Sequence, residues 1–164
     1  MSSAPDSGII IGLGHAERRD DGAGPYVARA LEERGLPAVV HQGEGSGLLD
    51  LWAFRPACIV IDAISGAEAP GRLRVFTGHD DPAFQRAGFV HSTHRLGLPE
   101  AVALGRALGR MPERLVVVGI AGAAFGFGAT LSPPVAAAAE RLMDVLTRAE
   151  DAFDADLLVG LSRF

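Results

Sequence analysis

Three runs of consecutive apolar residues, many of them β-branched, constrain the fold more than any other feature of the sequence. They lie at 9–11, 57–61 and 115–120, and helical patterns separate them along the chain. Continuous apolar runs are typical of strands that are buried on both faces. The alternation of such strands with helices predicts an α/β fold, with a three-layer α/β/α arrangement around a mostly parallel sheet.

The other elements follow from apolar periodicity and from the positions of glycine and proline. Residues 72–76 alternate polar and apolar side chains, as a half-exposed strand or an edge strand does. Residues 78–88 are predicted to be a loop, and the tail at 150–164 either docks or stays loose. We expect a single domain over 1–164 with its core at about 8–149, strands at 8–13, 38–42, 57–62, 72–76 and 115–120, and helices at 25–34, 48–54, 99–110 and 133–149.

Composition excludes several classes of protein. An apolar fraction of 48% excludes a disordered chain, and 20 acidic against 15 basic residues disfavour nucleic acid as a partner. Cys58 is the single cysteine, so neither an internal disulfide nor a multi-cysteine zinc site is possible. Because Cys58 lies within an apolar run, we expect it to be buried and not to act as a nucleophile.

No targeting or membrane segment is predicted. Residues 1–7 lack the basic and apolar regions of a signal peptide, so a cytoplasmic location is expected. Residues 115–139 carry no charge and are long enough for a membrane span. Their glycines and the Pro133-Pro134 pair instead favour a buried strand, a glycine loop and the start of a helix.

The stretch GLGHAERRDDGAG at 12–24 joins the first strand to the first helix and places Asp20 beside Asp21. Adjacent carboxylates repel each other, so a nearby cation is the simplest explanation for the pair. The alternative is ordinary turn and capping chemistry, because acids are favoured near the N-terminus of a helix.

Two further residues complete a candidate metal site. Asp62 ends the third predicted strand, and His94 lies in a polar loop that leads into a helix. In parallel α/β folds, ligands bind at the carboxyl ends of the strands, where Asp21, Asp62 and His94 are expected to meet. Two carboxylates and one imidazole suit a divalent first-row metal and leave coordination positions open. The alternatives are that Asp62 caps loop amides and that His94 is an ordinary loop histidine.

The remaining histidines carry weaker signals. His91 lies three residues before His94 and is a candidate partner for it, and His15 neighbours the acidic pair. No pattern supports His41 or His79, which we expect at the surface.

A dinucleotide site is the main rival explanation for the glycines of the first loop. Its third glycine is missing, because Glu17 occupies that position, and no acid closes the second strand.

Several motifs, in order along the chain, resemble those of the hydrogenase maturation proteases. Together they cover about residues 8–148. The matching segments are Gly12-Leu13-Gly14 with Asp20-Asp21-Gly22-Ala23-Gly24, Gly43-Glu44-Gly45-Ser46-Gly47-Leu48-Leu49, Val60-Ile61-Asp62-Ala63, Ser92-Thr93-His94-Arg95-Leu96-Gly97-Leu98, Gly119-Ile120 and Leu131-Ser132-Pro133-Pro134-Val135.

The resemblance implies a mixed five-stranded sheet of the phosphorylase/hydrolase-like type. It implies an aspartyl-type endopeptidase that removes the C-terminal extension of a nickel–iron hydrogenase large-subunit precursor. It also implies that Asp21, Asp62 and His94 bind nickel that the precursor supplies.

Three positions depart from the family pattern. His15 stands where asparagine is usual, Glu44 where threonine is usual, and Ala121 where a glutamate commonly follows Gly-Ile. The departures at His15 and Ala121 motivate a second hypothesis, a metal-sensing assembly factor that binds a precursor without cutting it. Peptidyl-tRNA hydrolases resemble this family in fold, but the acidic balance speaks against a tRNA partner.

Overall fold

The described residues of the computed structural model, 7–43, 45–66, 68–77, 82–89 and 97–163, form a five-stranded sheet with helices on both faces. The strand order is β2-β1-β3-β5-β4, and only β4 runs antiparallel to its neighbour within this sheet. The strands are β1 (Ile9–Leu13), β2 (Ala38–His41), β3 (Cys58–Ile64), β4 (Leu73–Thr77) and β5 (Leu115–Ala121). The predicted mixed, mostly parallel sheet is confirmed.

The helices divide between the two faces of the sheet. They are α1 (Ala23–Glu33), α2 (Gly45–Trp52), α3 (Pro82–Arg86), α4 (Leu98–Leu108), α5 (Pro133–Arg148) and α6 (Ala155–Gly160). One apolar cluster joins α1 and α5 to the sheet, and a second joins α2 and α4 to the opposite face. This is the expected three-layer arrangement.

Side-chain alternation along β3 assigns Asp62 to one face. Ile59 and Ile61 pack in the cluster with α1 and α5, whereas Val60 and Ile64 pack in the cluster with α2 and α4. Because successive side chains of a strand point to opposite faces, Asp62 shares the face of α2 and α4.

Three features differ from the sequence predictions or resolve them. Asp62 does not end β3, because backbone pairing with β5 continues through it to Ile64↔Ala121. The predicted loop at 78–88 contains the short helix α3, whose Phe84 is buried against Phe76 and Phe89. The tail docks, since Leu158 and Leu161 are buried in the core.

Two other predictions concern buried and uncharged segments. Cys58 is buried, as expected, and burial raises the pKa of its thiol above the usual range. The uncharged stretch 115–139 contains β5, a loop and the first turns of α5. Among the described residues, no helix combines the length and the apolar character that a membrane span requires.

Glycines allow the start of α1 to lie directly on the strands beneath it. A Cβ added to Gly12 would lie 2.2 Å from the carbonyl oxygen of Gly24, and a Cβ on Gly24 would lie 2.4 Å from that of Leu13 and 2.5 Å from that of Ile61. Only glycine permits such close backbone contact. The contact positions the first turn of α1 over the ends of β1 and β3.

Substitution of Gly12 tests this contact. We expect Gly12→Ala to lower the free energy of unfolding by about 2 kcal/mol or more, because the neighbouring backbone has to move. Urea denaturation measures the loss. In the control Gly160→Ala, the new methyl group meets no described atom within 4 Å, and alanine favours the helix α6. Equal stability of Gly12→Ala and the unmodified protein would contradict the close packing.

Candidate functional site

Asp21 lies in a 3₁₀ turn, Arg19–Gly22, between β1 and α1. Its carboxylate is buried, and its Oδ2 accepts a hydrogen bond of 3.0 Å from the backbone N–H of His15. Gly14 has a φ of +133°, and a Cβ on it would collide with the carbonyl oxygen of Asp21 at 2.0 Å. The glycine loop after β1 therefore folds tightly around Asp21.

Asp62 reaches the same region from the neighbouring strand. The register of β1 with β3 pairs Gly12 with Ile61, so Asp62 is the next residue beyond that pair. Its side chain is buried, and among the described residues it accepts one hydrogen bond, 2.9 Å from the backbone N–H of Ala63. A buried carboxylate with a single hydrogen bond is poorly compensated.

The two carboxyl groups interact electrostatically. Burial raises the pKa of Asp62 well above its usual value, and the negative charge of Asp21 raises it further, against the effect of the Ala63 hydrogen bond. Burial also raises the pKa of Asp21, although the hydrogen bond from His15 and the charges of His15 and Arg18 oppose the shift. The structure thus places two buried carboxyl groups close enough for their charges to interact, and burial together with this repulsion favours the protonated form of Asp62.

His94 lies outside the described residues, as do His91, His79 and Glu44, so the third predicted ligand remains a prediction. The described residues on either side of 90–96 are Phe89 and Gly97, the latter just before α4. Phe89 is bridged to Ile64, two residues after Asp62, and Leu98 begins α4 on the same face of the sheet. Within the described parts of the chain, no group of three acidic, histidine or cysteine side chains is arranged to hold a metal ion.

Two other histidines occupy defined positions. The backbone of His15 contacts Asp21, while its imidazole Nδ1 lies 3.7 Å from a carboxylate oxygen of Glu17. His41 is half-buried, and its Nδ1 accepts a 2.9 Å hydrogen bond from the N–H of Gly43. His41 is therefore only partly exposed at the surface where it was predicted.

The carboxylate of Asp20 differs from that of Asp21 in its hydrogen-bond partners. Its fully buried carboxylate accepts hydrogen bonds from the N–H groups of Ala123, Ala124 and Ser132 and from the Ser132 hydroxyl, at 2.7–2.9 Å. Burial alone would raise the pKa of Asp20, but these hydrogen bonds outweigh it and lower the pKa below the usual value. Protein N–H groups, and not a cation, compensate this charge.

The role of Asp20 could not be read from its own surroundings in the sequence. Its partners lie more than 100 residues away, in the loop between β5 and α5. Ser132 precedes α5 as predicted, but its hydroxyl donates to Asp20 and does not cap the helix.

A groove of about 560 Å³ lies between α1 and α5. Ala16, Tyr26, Leu131 and Glu140 are among its lining residues, whereas neither Asp21 nor Asp62 lines it. The groove is therefore separate from the carboxylate pair.

Comparison with known proteins identifies the family. The family model for HycI, described as hydrogenase maturation protease, matches residues 26–149. A hydrogenase 2 maturation protease of Escherichia coli is 32% identical over 120 residues, which are 68% of this chain and 71% of that protein. The hydrogenase expression/formation protein HupM of Azotobacter chroococcum is 30% identical over 85% of this chain and 69% of its own length.

Solved structures agree with the sequence comparison. The hydrogenase maturating endopeptidase HybD of Escherichia coli superposes with a TM-score of 0.69 at 26% identity, covering 84% of this chain and 88% of that one. The maturation protease HybD of Thermococcus kodakarensis, at 23% identity, shares the fold with a TM-score of 0.68 over 85% of this chain and 95% of that one. The chain belongs to the hydrogenase maturation protease family and is a peptide hydrolase.

The hydrogen bonds of Asp20 generate a stability prediction. We expect Asp20→Asn to lower the free energy of unfolding by about 2–4 kcal/mol at neutral pH, because an amide NH₂ then faces buried donors. Ser132→Ala, which removes one of the four bonds, should cost about 1 kcal/mol.

The loss of stability in Asp20→Asn should become smaller as the pH falls. The folded-state pKa of Asp20 is lowered, so its contribution is complete above the unfolded-state pKa and is lost as the pH falls through the folded-state value. Urea denaturation should therefore show the gap between Asp20→Asn and the unmodified protein narrowing below about pH 4. A gap that stays constant down to pH 2 would contradict the assignment.

For Asp62 we expect the corresponding substitution to stabilise the folded protein. In metal-free protein at pH 7, Asp62→Asn should raise the free energy of unfolding by about 1 kcal/mol, because it removes a buried charge and keeps an oxygen for the Ala63 N–H. Thermal unfolding measures the gain, with Asp144→Asn on the exposed side of α5 as the control. A marked loss of stability would show that the charge of Asp62 is well compensated.

Proposed function

We propose that this protein is a nickel-dependent endopeptidase that removes the C-terminal extension of a nickel–iron hydrogenase large-subunit precursor. Membership of the maturation protease family supports the class of reaction. The observation that carries the proposal is the buried pair Asp21 and Asp62, two carboxyl groups from separate elements whose pKa values are both raised.

The donor set fits a metal ion that belongs to the substrate. Asp21 and Asp62 supply oxygen donors, and His94 would add an imidazole, a ligand that suits nickel. Asp62 accepts one hydrogen bond from the described residues, so its carboxylate retains lone pairs for a ligand. Three protein ligands leave positions that the precursor would fill, and cleavage would then depend on a precursor that already carries nickel.

The hydrolytic step needs a base for water and an acid for the departing amine. When bound, nickel would supply positive charge beside the scissile carbonyl. Asp62 is assigned the proton transfer because its buried carboxylate accepts one hydrogen bond from the described residues and retains lone pairs for a proton beside those that would bind the metal. On this proposal Asp62 takes a proton from the water that attacks the carbonyl carbon and returns it to the amine as the C–N bond breaks. No covalent enzyme intermediate is required.

A metal-sensing assembly factor that does not cleave is the second candidate function. Its supporting observation is Ala121, which is buried in β5 and is one of the departures from the family pattern noted in the sequence. Such a factor would use the same carboxylate pair to recognise the metal of the precursor and would keep the complex intact.

A processing assay separates these functions. Purified protein is mixed with nickel-loaded and with metal-free large-subunit precursor, and loss of the C-terminal extension is followed by mass spectrometry. We expect cleavage only of the nickel-loaded form, and a fall of at least about 100-fold for Asp21→Ala, Asp62→Ala and His94→Ala. Asp144→Asn should process at the unmodified rate.

The other outcomes are equally informative. A stable complex without cleavage would favour the assembly factor. Cleavage that is independent of nickel, or an Asp62→Ala variant as active as the unmodified protein, would overturn the proposed mechanism.

A further inference from the structure

The loop between β5 and α5 presents an unusually exposed aromatic side chain. This Gly-Phe loop, residues 122–130, contains Phe127, which is 93% exposed and has the highest exposure among the large apolar side chains of the described residues. Phe125, two residues earlier, is half-buried, and its ring occupies the space that a Cβ on Gly122 would need. The loop thus folds one phenylalanine inward and turns the other to solvent.

Backbone hydrogen bonds join this loop to the segment that carries Asp21. The N–H of Arg19 donates to the carbonyl of Gly128 at 2.8 Å, and the N–H of Gly128 donates to the carbonyl of Glu17 at 2.9 Å. The N–H of Asp20 donates to the carbonyl of Ala124 at 2.9 Å.

Side-chain bonds and backbone conformation strengthen the same connection. The carboxylate of Asp20 binds Ala123 and Ala124 at one end of the loop and Ser132 just beyond the other. Arg19 adopts a left-handed conformation with φ +51°, which surrounding contacts must maintain. The Gly-Phe loop and the 3₁₀ turn of Asp21 therefore form one hydrogen-bonded unit.

A phenylalanine that a fixed loop exposes to solvent loses the stabilisation that burial of its ring would give. Single exposed apolar residues are common on protein surfaces, and Phe54, which is 67% exposed, is an example. Phe54 precedes β3, at the edge of the sheet opposite the carboxylate pair. Phe127 differs because its loop follows β5, at the carboxyl edge, and is bonded to the turn of Asp21.

We propose that Phe127 is a specificity-determining residue that anchors the substrate beside the carboxylate pair. Its partner is an apolar side chain of the large-subunit precursor, so this inference rests on the proposed function. An aromatic ring on an ordered loop binds at little cost in conformational entropy, which is why such residues dominate many interfaces. The ring holds the precursor chain, and the carboxylates act on the adjoining peptide bond.

The test measures binding and turnover separately. Binding of nickel-loaded precursor is measured in the Asp62→Asn background, so that the precursor is not consumed during the measurement. The parent protein of this background is compared with Phe127→Ala, Phe127→Leu and the control Phe54→Ala. We expect the dissociation constant to rise roughly tenfold or more for Phe127→Ala and less for Phe127→Leu, with no change for Phe54→Ala. In the unmodified background, kcat of Phe127→Ala at saturating precursor should stay within about twofold of the parent value.

Thermal unfolding shows whether each variant is folded, and all three should melt with their parent protein because both rings are exposed. If the unmodified protein processes the precursor while Phe127→Ala binds it equally well, the anchor is overturned and the proposed function stands. A fall in kcat without a change in binding would also overturn it. Failure of the unmodified protein to cleave or bind the precursor would overturn both.

Discussion

The buried carboxylate of Asp20 connects two segments of the chain that are 112 residues apart in sequence. Four hydrogen bonds from the loop after β5 end on this one side chain. Each is charge-assisted, and the two donors of Ser132 would lie unpaired in the interior if the carboxylate were removed. These hydrogen bonds fix the 3₁₀ turn of Asp21 against the loop after β5. The close contact of Gly12 with Gly24 fixes the start of α1, which follows that turn, against β1.

Asp20 and Asp21 show how position determines the behaviour of identical side chains. Both are buried, yet the pKa of Asp20 is lowered and the pKa of Asp21 is raised. Four hydrogen bonds stabilise the charged form of the first, whereas the second accepts one from His15 and shares its surroundings with Asp62. The stability that Asp20 contributes thus supports a neighbouring pair whose charges are costly to the folded protein.

Much of the fold could be predicted because its signals are local. The apolar runs at 9–11 and 115–120 mark β1 and β5, and the antiparallel edge position of β4 agrees with its alternating pattern. The end of β3 could not be predicted from an apolar run, because Asp62 interrupts the run while its backbone continues to pair with β5. The helix α3 spans five residues, too few to show a helical period.

The candidate site was harder to predict than the fold. The rule that ligands gather at the carboxyl ends of parallel strands predicted that Asp21 and Asp62 lie near each other, and the pairing of β1 with β3 brings them into the same region. Separating Asp20 from Asp21 required its hydrogen-bond partners, which come from a loop that follows β5. The residues next to Asp20 in the sequence do not indicate hydrogen-bond donors that are this distant. The fixed position of the loop that carries Phe127 could not be predicted for the same reason, since its hydrogen bonds end on Glu17, Arg19 and Asp20.

On the proposed function, few protein groups offset the charges of the carboxylate pair. This explains how the protease can act on one precursor, and only after that precursor has received its metal. A protein whose own groups neutralised Asp21 and Asp62 would have no use for an external cation. Here the described residues provide Asp62 with a single hydrogen bond, and the charge of Asp21 disfavours its ionisation. A precursor that carries a metal ion relieves this repulsion and one that lacks it does not, so the binding energy itself distinguishes the two. An apolar anchor such as Phe127 does not distinguish a metal-loaded precursor from a metal-free one. Recognition of the precursor and recognition of its metal-loaded state therefore depend on different residues.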